Sequence, residues 1–101
     1  MAEIAWTYRA TADIDDIASY IALDDEEAAI HLVERIYSHV EQLSAHPKSG
    51  SVLLELPDSE YRQLVEPPCR IFYKIQGETV FIVHVMRFER ILRTSRLEDQ
   101  E

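Results

Sequence analysis

The spacing of apolar residues changes period along this chain, and each change marks an element. Ile4, Trp6 and Tyr8 alternate with polar neighbours over 3–8, which predicts a short strand. Ile14, Ile17, Ala18 and Ile21 then recur at helical spacing and predict a helix over about 12–23. Thr11 stands at its N-cap position, and Asp13, Asp15 and Asp16 crowd its first turn, where the helix dipole favours anions. A second stripe of Ala29, Leu32, Val33, Ile36, Val40 and Leu43 predicts a longer helix, stopped near Ala45 by Pro47 and Ser49-Gly50. The run Asp24-Asp25-Glu26-Glu27 reads as the start of that helix, with Asp24 as cap and Glu27 as its capping-box partner, rather than as an acidic binding loop. So short a connection folds the two helices into an antiparallel hairpin.

Beyond Gly50 the period is that of strands. Residues 51–56 form one, ended by Pro57, and 61–65 a second, closed by Glu66-Pro67-Pro68. The densest β-branched and aromatic run follows, Cys69–Ile75 and Val80–Arg87, joined through Gln76-Gly77 as a hairpin. The stretch from Phe88 to Leu97 carries Arg90, Arg93 and Arg96 at three-residue spacing and reads as a short helix or a disordered arm. The fold class is therefore α+β: an N-terminal strand, an antiparallel two-helix hairpin, and a four-strand antiparallel meander. The helices can cover one sheet face only, so the other is expected to stay open to solvent or a partner, and function is sought there.

Length and charge narrow the picture. With 101 residues the chain is one domain, 1–101, with 94–101 as a candidate flexible acidic tail. A single cysteine, Cys69, excludes an internal disulfide and fits a reducing compartment. No basic-then-apolar leader opens the chain, and no apolar run approaches the roughly 20 residues that span a bilayer, so a soluble cytoplasmic protein without membrane contact is expected. The net charge of −9 is uneven: 1–57 hold three Lys/Arg against eleven Asp/Glu, whereas 58–97 hold seven against five. An acidic protein is a poor general nucleic-acid binder, so only the C-terminal half suits phosphate or an acidic partner.

Candidate chemistry is sparse. His31 and His39 lie on the second helix with Arg35 between them, a cation that disfavours a metal, and no carboxylate or Cys completes a ligand set; neither metal nor other cofactor is expected. Cys69 and His84 fall on neighbouring strands and can form a nucleophile–base pair, although a lone Cys at a strand start is more often a packed small hydrophobe. Two glycines leave no phosphate loop. What remains is arginine. Arg70 shares strand parity with Phe72 and Lys74, Arg87 with Val83 and Val85, and Arg62 precedes them, so Arg62, Arg70 and Arg87 are expected to cluster on one sheet face. Arginine suits phosphate or carboxylate because its planar fork bonds bidentately, and equally these arginines can be spent on surface ion pairs with the many Asp and Glu.

Taken together, the N-terminal strand, the acidic-starting helix, the second helix ending in Pro47-Lys48-Ser49-Gly50, Arg62-Gln63-Leu64, the block Arg70-Ile71-Phe72-Tyr73-Lys74-Ile75 and the strand ending Val83-His84-Val85-Met86-Arg87 with Arg90 beyond resemble the ParE/RelE superfamily of type II toxin–antitoxin toxins. The likeness covers about residues 4–93. It implies a toxin held inactive by a cognate antitoxin in a hetero-oligomer, with one of two activities. ParE-like members poison DNA gyrase without hydrolytic chemistry; RelE-like members cut mRNA on the ribosome with basic residues and a Glu, His or Tyr. Arg70 matches the strand arginine of the family, and Arg62 and Arg87 match flanking basic positions. The sequence Arg87-Phe88-Glu89-Arg90 lacks the His or Tyr that often follows the last strand in the nucleases, and the net charge is far from their basic character. The ParE-like branch is therefore favoured, with Arg62, Arg70, Arg87 and Arg90 as the target-facing set. In the nuclease reading Arg62 and Arg70 would bind the scissile phosphate and His84 or Glu89 would carry protons. A non-toxic module that only binds antitoxin is the third reading.

Overall fold

The computed structural model describes residues 1–98. Strand β1, Glu3–Trp6, hands over directly to helix α1, Tyr8–Ala22. The helix thus starts four residues before the predicted point, and Thr7, not Thr11, is its cap. The Thr7 hydroxyl accepts from Ala10 N at 3.2 Å and donates to the Ile82 carbonyl at 2.8 Å, so one side chain starts the helix and ties it to a strand 75 residues later. Asp13, Asp15 and Asp16 consequently sit beyond the first turn, which holds no acid. Asp25, not Asp24, caps helix α2, Glu26–Glu41, accepting from Ala28 N at 3.1 Å. With that frame the third helical residue is Ala28, so Glu27 makes no capping box and instead joins Glu26 in complementing the dipole. A 3-10 turn, Gln42–Ser44, ends the hairpin.

The other strands are β2, Ser51–Val52; β3, Arg62–Glu66; β4, Cys69–Gln76; and β5, Thr79–Arg87. The sheet order is β1-β5-β4-β3-β2. The last four are the predicted antiparallel meander, and β1 adds to its far edge in parallel with β5, Glu3 opposite Thr79 and Trp6 opposite Ile82. Gly77, at φ +60°, and Glu78 make the tight β4–β5 turn, a backbone angle that glycine adopts without steric cost. The predicted strand 51–56 is only two residues long, because Leu53 leaves the ladder to bury itself completely beneath the sheet while Leu54 is 90% exposed.

That departure changes the architecture. α1 and α2 cover one face, where Ile14, Leu32, Ile36, Val40 and Leu43 pack on Ile71, Tyr73, Val80, Ile82 and Val85. The opposite face, expected to be open, carries a second core of Leu53, Tyr61, Phe72, Val83, Met86 and Leu97. Its cover comes from the loop between β2 and β3 and from helical turn α3, Ser95–Glu98, whose Leu97 is fully buried and whose carbonyl accepts from the Tyr61 hydroxyl at 3.2 Å. Each such large apolar side chain contributes about 1.5–3 kcal/mol on burial. Residues 95–98 of the candidate acidic tail are this helical turn; its end, 99–101, lies outside the described residues. β5 meets β4 with an irregularity, Phe72 facing His84 and Tyr73 facing Ile82, which leaves Val83 as an extra residue turned into the second core.

Candidate functional site

The strand register decides where the arginines go. Residues directly opposite one another share a face, and faces alternate along a strand. Arg70 lies opposite Val65 and Met86, on the second-core side. Arg62 lies opposite Tyr73, and Arg87 opposite Cys69, on the side of the helices. The expected cluster of Arg62, Arg70 and Arg87 on one face is therefore absent: parity within β4 was legible, but the pairing that relates it to β3 and β5 places Arg70 alone on its side.

Two of these arginines are also consumed internally. Arg62 donates through Nη1 to the carbonyls of Gly50 at 2.8 Å and Lys48 at 3.3 Å, clamping the loop before β2. Arg70 donates from Nε to Gln63 at 2.7 Å and from both terminal nitrogens to Glu55 at 2.9 and 3.0 Å, with its guanidinium 4.7 Å above the Phe72 ring. The hydrogen bonds from Arg70 hold the Glu55 carboxyl below its ordinary pKa, partly opposed by desolvation. Arg70 thus fastens the loop over the second core.

The end of β5 is different. β1 covers its outer edge only as far as Ile82, and α1 crosses the edge beyond. There Asp13 accepts from Val85 N at 3.1 Å, the bond a neighbouring strand would have made, and the same carboxylate lies 2.6 Å from His84 Nδ1. The His84 ring stacks on Phe72 at 5.6 Å. Next to this edge a cleft of about 460 Å³ opens between α1, β5 and the chain after it, lined by Arg9, Arg87, Arg90, Arg93 and Arg96 against Asp13 and Asp16, with Tyr20 and His84 in its wall. Arg87 stands 4.4 Å over the Tyr20 ring and bonds Glu89 at 3.1 Å. Of the four arginines expected to face a target, Arg87 and Arg90 line this cleft and Arg62 and Arg70 do not. Arg9 was missed; its signal was its place one helical turn before Asp13, legible only once the helix is known to begin at Tyr8.

The remaining candidates are structural. Cys69 is fully buried opposite Arg87, on the other face from His84, which is opposite Phe72 three positions along β4, so the strands do not form a Cys–His couple. Burial pushes the Cys69 thiol up to about 11, which keeps it protonated and unreactive at neutral pH. Ellman's reagent at pH 8 is expected to leave Cys69 unlabelled over an hour and to titrate it at once in denaturant; rapid labelling of the folded protein would contradict this burial. On α2, Arg35 and His39 share Glu66 at 3.2 and 3.0 Å. Among the described residues no group of three or more His, Cys, Asp or Glu is placed to hold a metal ion, and no helix is long and apolar enough to cross a membrane.

Known proteins resemble this chain in sequence and in fold. Residues 4–92 match the family model described as the ParE toxin of the type II toxin–antitoxin system parDE. "Toxin RelE2" of Caulobacter vibrioides is 32% identical over 92 residues, covering 90% of this chain and 100% of that protein. "Putative toxin Y4kP" of Sinorhizobium fredii is 45% identical over 47 residues, 46% of this chain, so the match spans only 49% of that relative's length. Among solved structures, a chain of the "Chromosomal ParDE TA system from P. aeruginosa" superimposes with a TM-score of 0.73 at 28% identity, covering 88% of this chain and 98% of that one.

Proposed function

The chain belongs to the ParE toxin family of type II toxin–antitoxin systems, and from that premise we propose that it arrests growth by binding DNA gyrase and is neutralised by a cognate antitoxin. The observation that carries the choice of target is the internal use of Arg62 and Arg70. A nuclease on the expected plan would need both guanidiniums at the scissile phosphate, yet one holds two backbone carbonyls and the other is bound bidentately to Glu55. Arg87 and Arg90, lining the open cleft, are the target-facing residues of this reading. The ParDE neighbour supports an antitoxin partner. A shallow apolar groove along α1 and α2, lined by Ala18, Ala22, Ala29, Ile30 and Val33, fits an apolar antitoxin segment.

One observation favours a second reading, ribosome-dependent mRNA cleavage. His84 is oriented by Asp13 at 2.6 Å and lines the arginine cleft, which is the kind of pairing a proton carrier needs. The test expresses the chain without its partner and follows supercoiling by purified gyrase beside cleavage of mRNA on translating ribosomes. Gyrase inhibition is expected, weakened at least tenfold in Arg87→Glu/Arg90→Glu with the circular dichroism spectrum unchanged. Intact supercoiling with codon-phased cleavage, lost in His84→Gln, would replace it with the nuclease reading; activity in neither assay would leave an antitoxin-binding module.

A further inference from the structure

We infer that the cleft beside β5 is a docking site for an acidic protein segment that also carries an apolar side chain. The inference rests on the toxin reading for its biological setting and adds the chemistry of the segment that Arg87 and Arg90 would grip. Charge is the first argument. Arg9, Arg87, Arg90, Arg93 and Arg96 line this cleft with Asp13 and Asp16, and Glu89 pairs with Arg87 beside it, an excess of positive charge in a chain whose net charge is −9. One of those aspartates, Asp13, is already bonded to Val85 N and His84, so its carboxylate is partly satisfied within the fold. A cationic concavity on an acidic body steers an anionic ligand to one place and repels it elsewhere.

The second argument is a carboxylate already bound there. Arg87 holds Glu89 at 3.1 Å while its plane lies over Tyr20, and the Glu89 side chain is 59% exposed. The Arg87 side chain is only 17% exposed, but Glu89 reaches it from the solvent side, so an incoming carboxylate can take the place of Glu89 and keep the guanidinium paired. The third is apolar surface in the lining: Ile91 is 88% and Tyr20 60% exposed. Carboxylates with one aliphatic or aromatic neighbour satisfy both surfaces. A nucleic-acid strand satisfies them less well. Its affinity rests on contact with phosphate after phosphate, and beyond the cleft it would meet a body of net charge −9.

Fluorescence anisotropy with three labelled probes tests this: a short Glu-rich peptide containing one Leu and one Phe, its Gln-for-Glu twin, and an oligothymidylate. The acidic peptide is expected to bind at least tenfold more tightly than its twin at low salt, and to weaken as salt screens the charges. Arg90→Glu/Arg93→Glu, both at exposed positions, is expected to lose at least tenfold, whereas Lys48→Glu, an exposed charge reversal away from the cleft, stays within twofold. Equal binding of the two peptides, or equal binding by both variants, overturns the inference. Tighter binding of oligothymidylate, lost in Arg90→Glu/Arg93→Glu, assigns the cleft to nucleic acid instead. Salt-sensitive self-association abolished by Asp24→Asn/Glu27→Gln assigns it to a second copy, whose turn places exposed Leu23 beside four acids. Failure of the toxin reading is separable: growth arrest without peptide binding removes only the cleft, and peptide binding without arrest removes only the toxin.

Discussion

Phe72→Ala is expected to lower the unfolding free energy by about 3–5 kcal/mol, the usual cost of emptying a fully buried phenylalanine site. Phe72 has no exposed surface and stands at the centre of the second core with Val83, Met86 and Leu97. It also links two neighbours across the sheet: the Arg70 guanidinium lies 4.7 Å from its ring on one side and the His84 ring 5.6 Å on the other. Truncation therefore leaves a cavity and removes the aromatic face on which both rest. A domain of this size holds about 5–15 kcal/mol in total, so the variant gives up a large share of its stability. Urea denaturation measures it directly, and Phe72→Leu, which keeps most of the volume, should cost under about 1.5 kcal/mol. A loss below about 1 kcal/mol for Phe72→Ala would mean that the second core contributes little.

Gly50→Ala should cost about 3 kcal/mol or more, from forced contact together with broken hydrogen bonds. An added methyl would lie 2.5 Å from the Tyr73 hydroxyl oxygen and 2.6 Å from the Gln63 carbonyl oxygen. The second of these is backbone in β3 and cannot swing aside. Three hydrogen bonds meet at this point: Gly50 N donates to the Tyr73 oxygen at 2.9 Å, that hydroxyl donates to Pro47 O at 2.8 Å, and Arg62 donates to Gly50 O at 2.8 Å. Burial raises the Tyr73 pKa, so the hydroxyl remains a donor. Tyr73→Phe removes the closest of the three crowding atoms, keeps the Tyr73 ring carbon at 2.7 Å, and leaves the Gly50 amide unpaired, at about 1–3 kcal/mol. In the double variant the two losses should fall short of their sum, because the missing hydroxyl relieves part of the clash. Full additivity would contradict a shared site.

Much of this was legible beforehand, and the misses have physical causes. The stripes of α1 and α2 and the hairpin of β4 and β5 follow from local periodicity, and each formed. The start of α1 did not, because Thr7 and Thr11 are equal as caps in the local sequence and the choice was made by a hydrogen bond to Ile82. Leu53 and Leu54 alternate as strand residues do, but Leu53 has an empty sheet face to fill, and filling it ends the strand. The arginine positions failed for a related reason. Parity orders side chains within a strand, whereas the face shared between strands depends on register, and the extra residue at Val83 is invisible to any period. Arg90, Arg93 and Arg96 stood out by spacing; that Arg9 joins them required α1 to lie against the end of β5.

The parallel pairing of β1 with β5 has a consequence for how the protein is made. β1 is synthesised before the other four strands of the sheet and cannot find its place until Thr79–Ile82, its partners, follow. Thr7 likewise lacks its carbonyl acceptor on Ile82 until then. The arginines at 87, 90, 93 and 96 emerge later still. A nascent chain that stops short of Arg87 has an unclosed sheet edge and none of those four arginines, so the sheet and the cleft are completed by the same late segment.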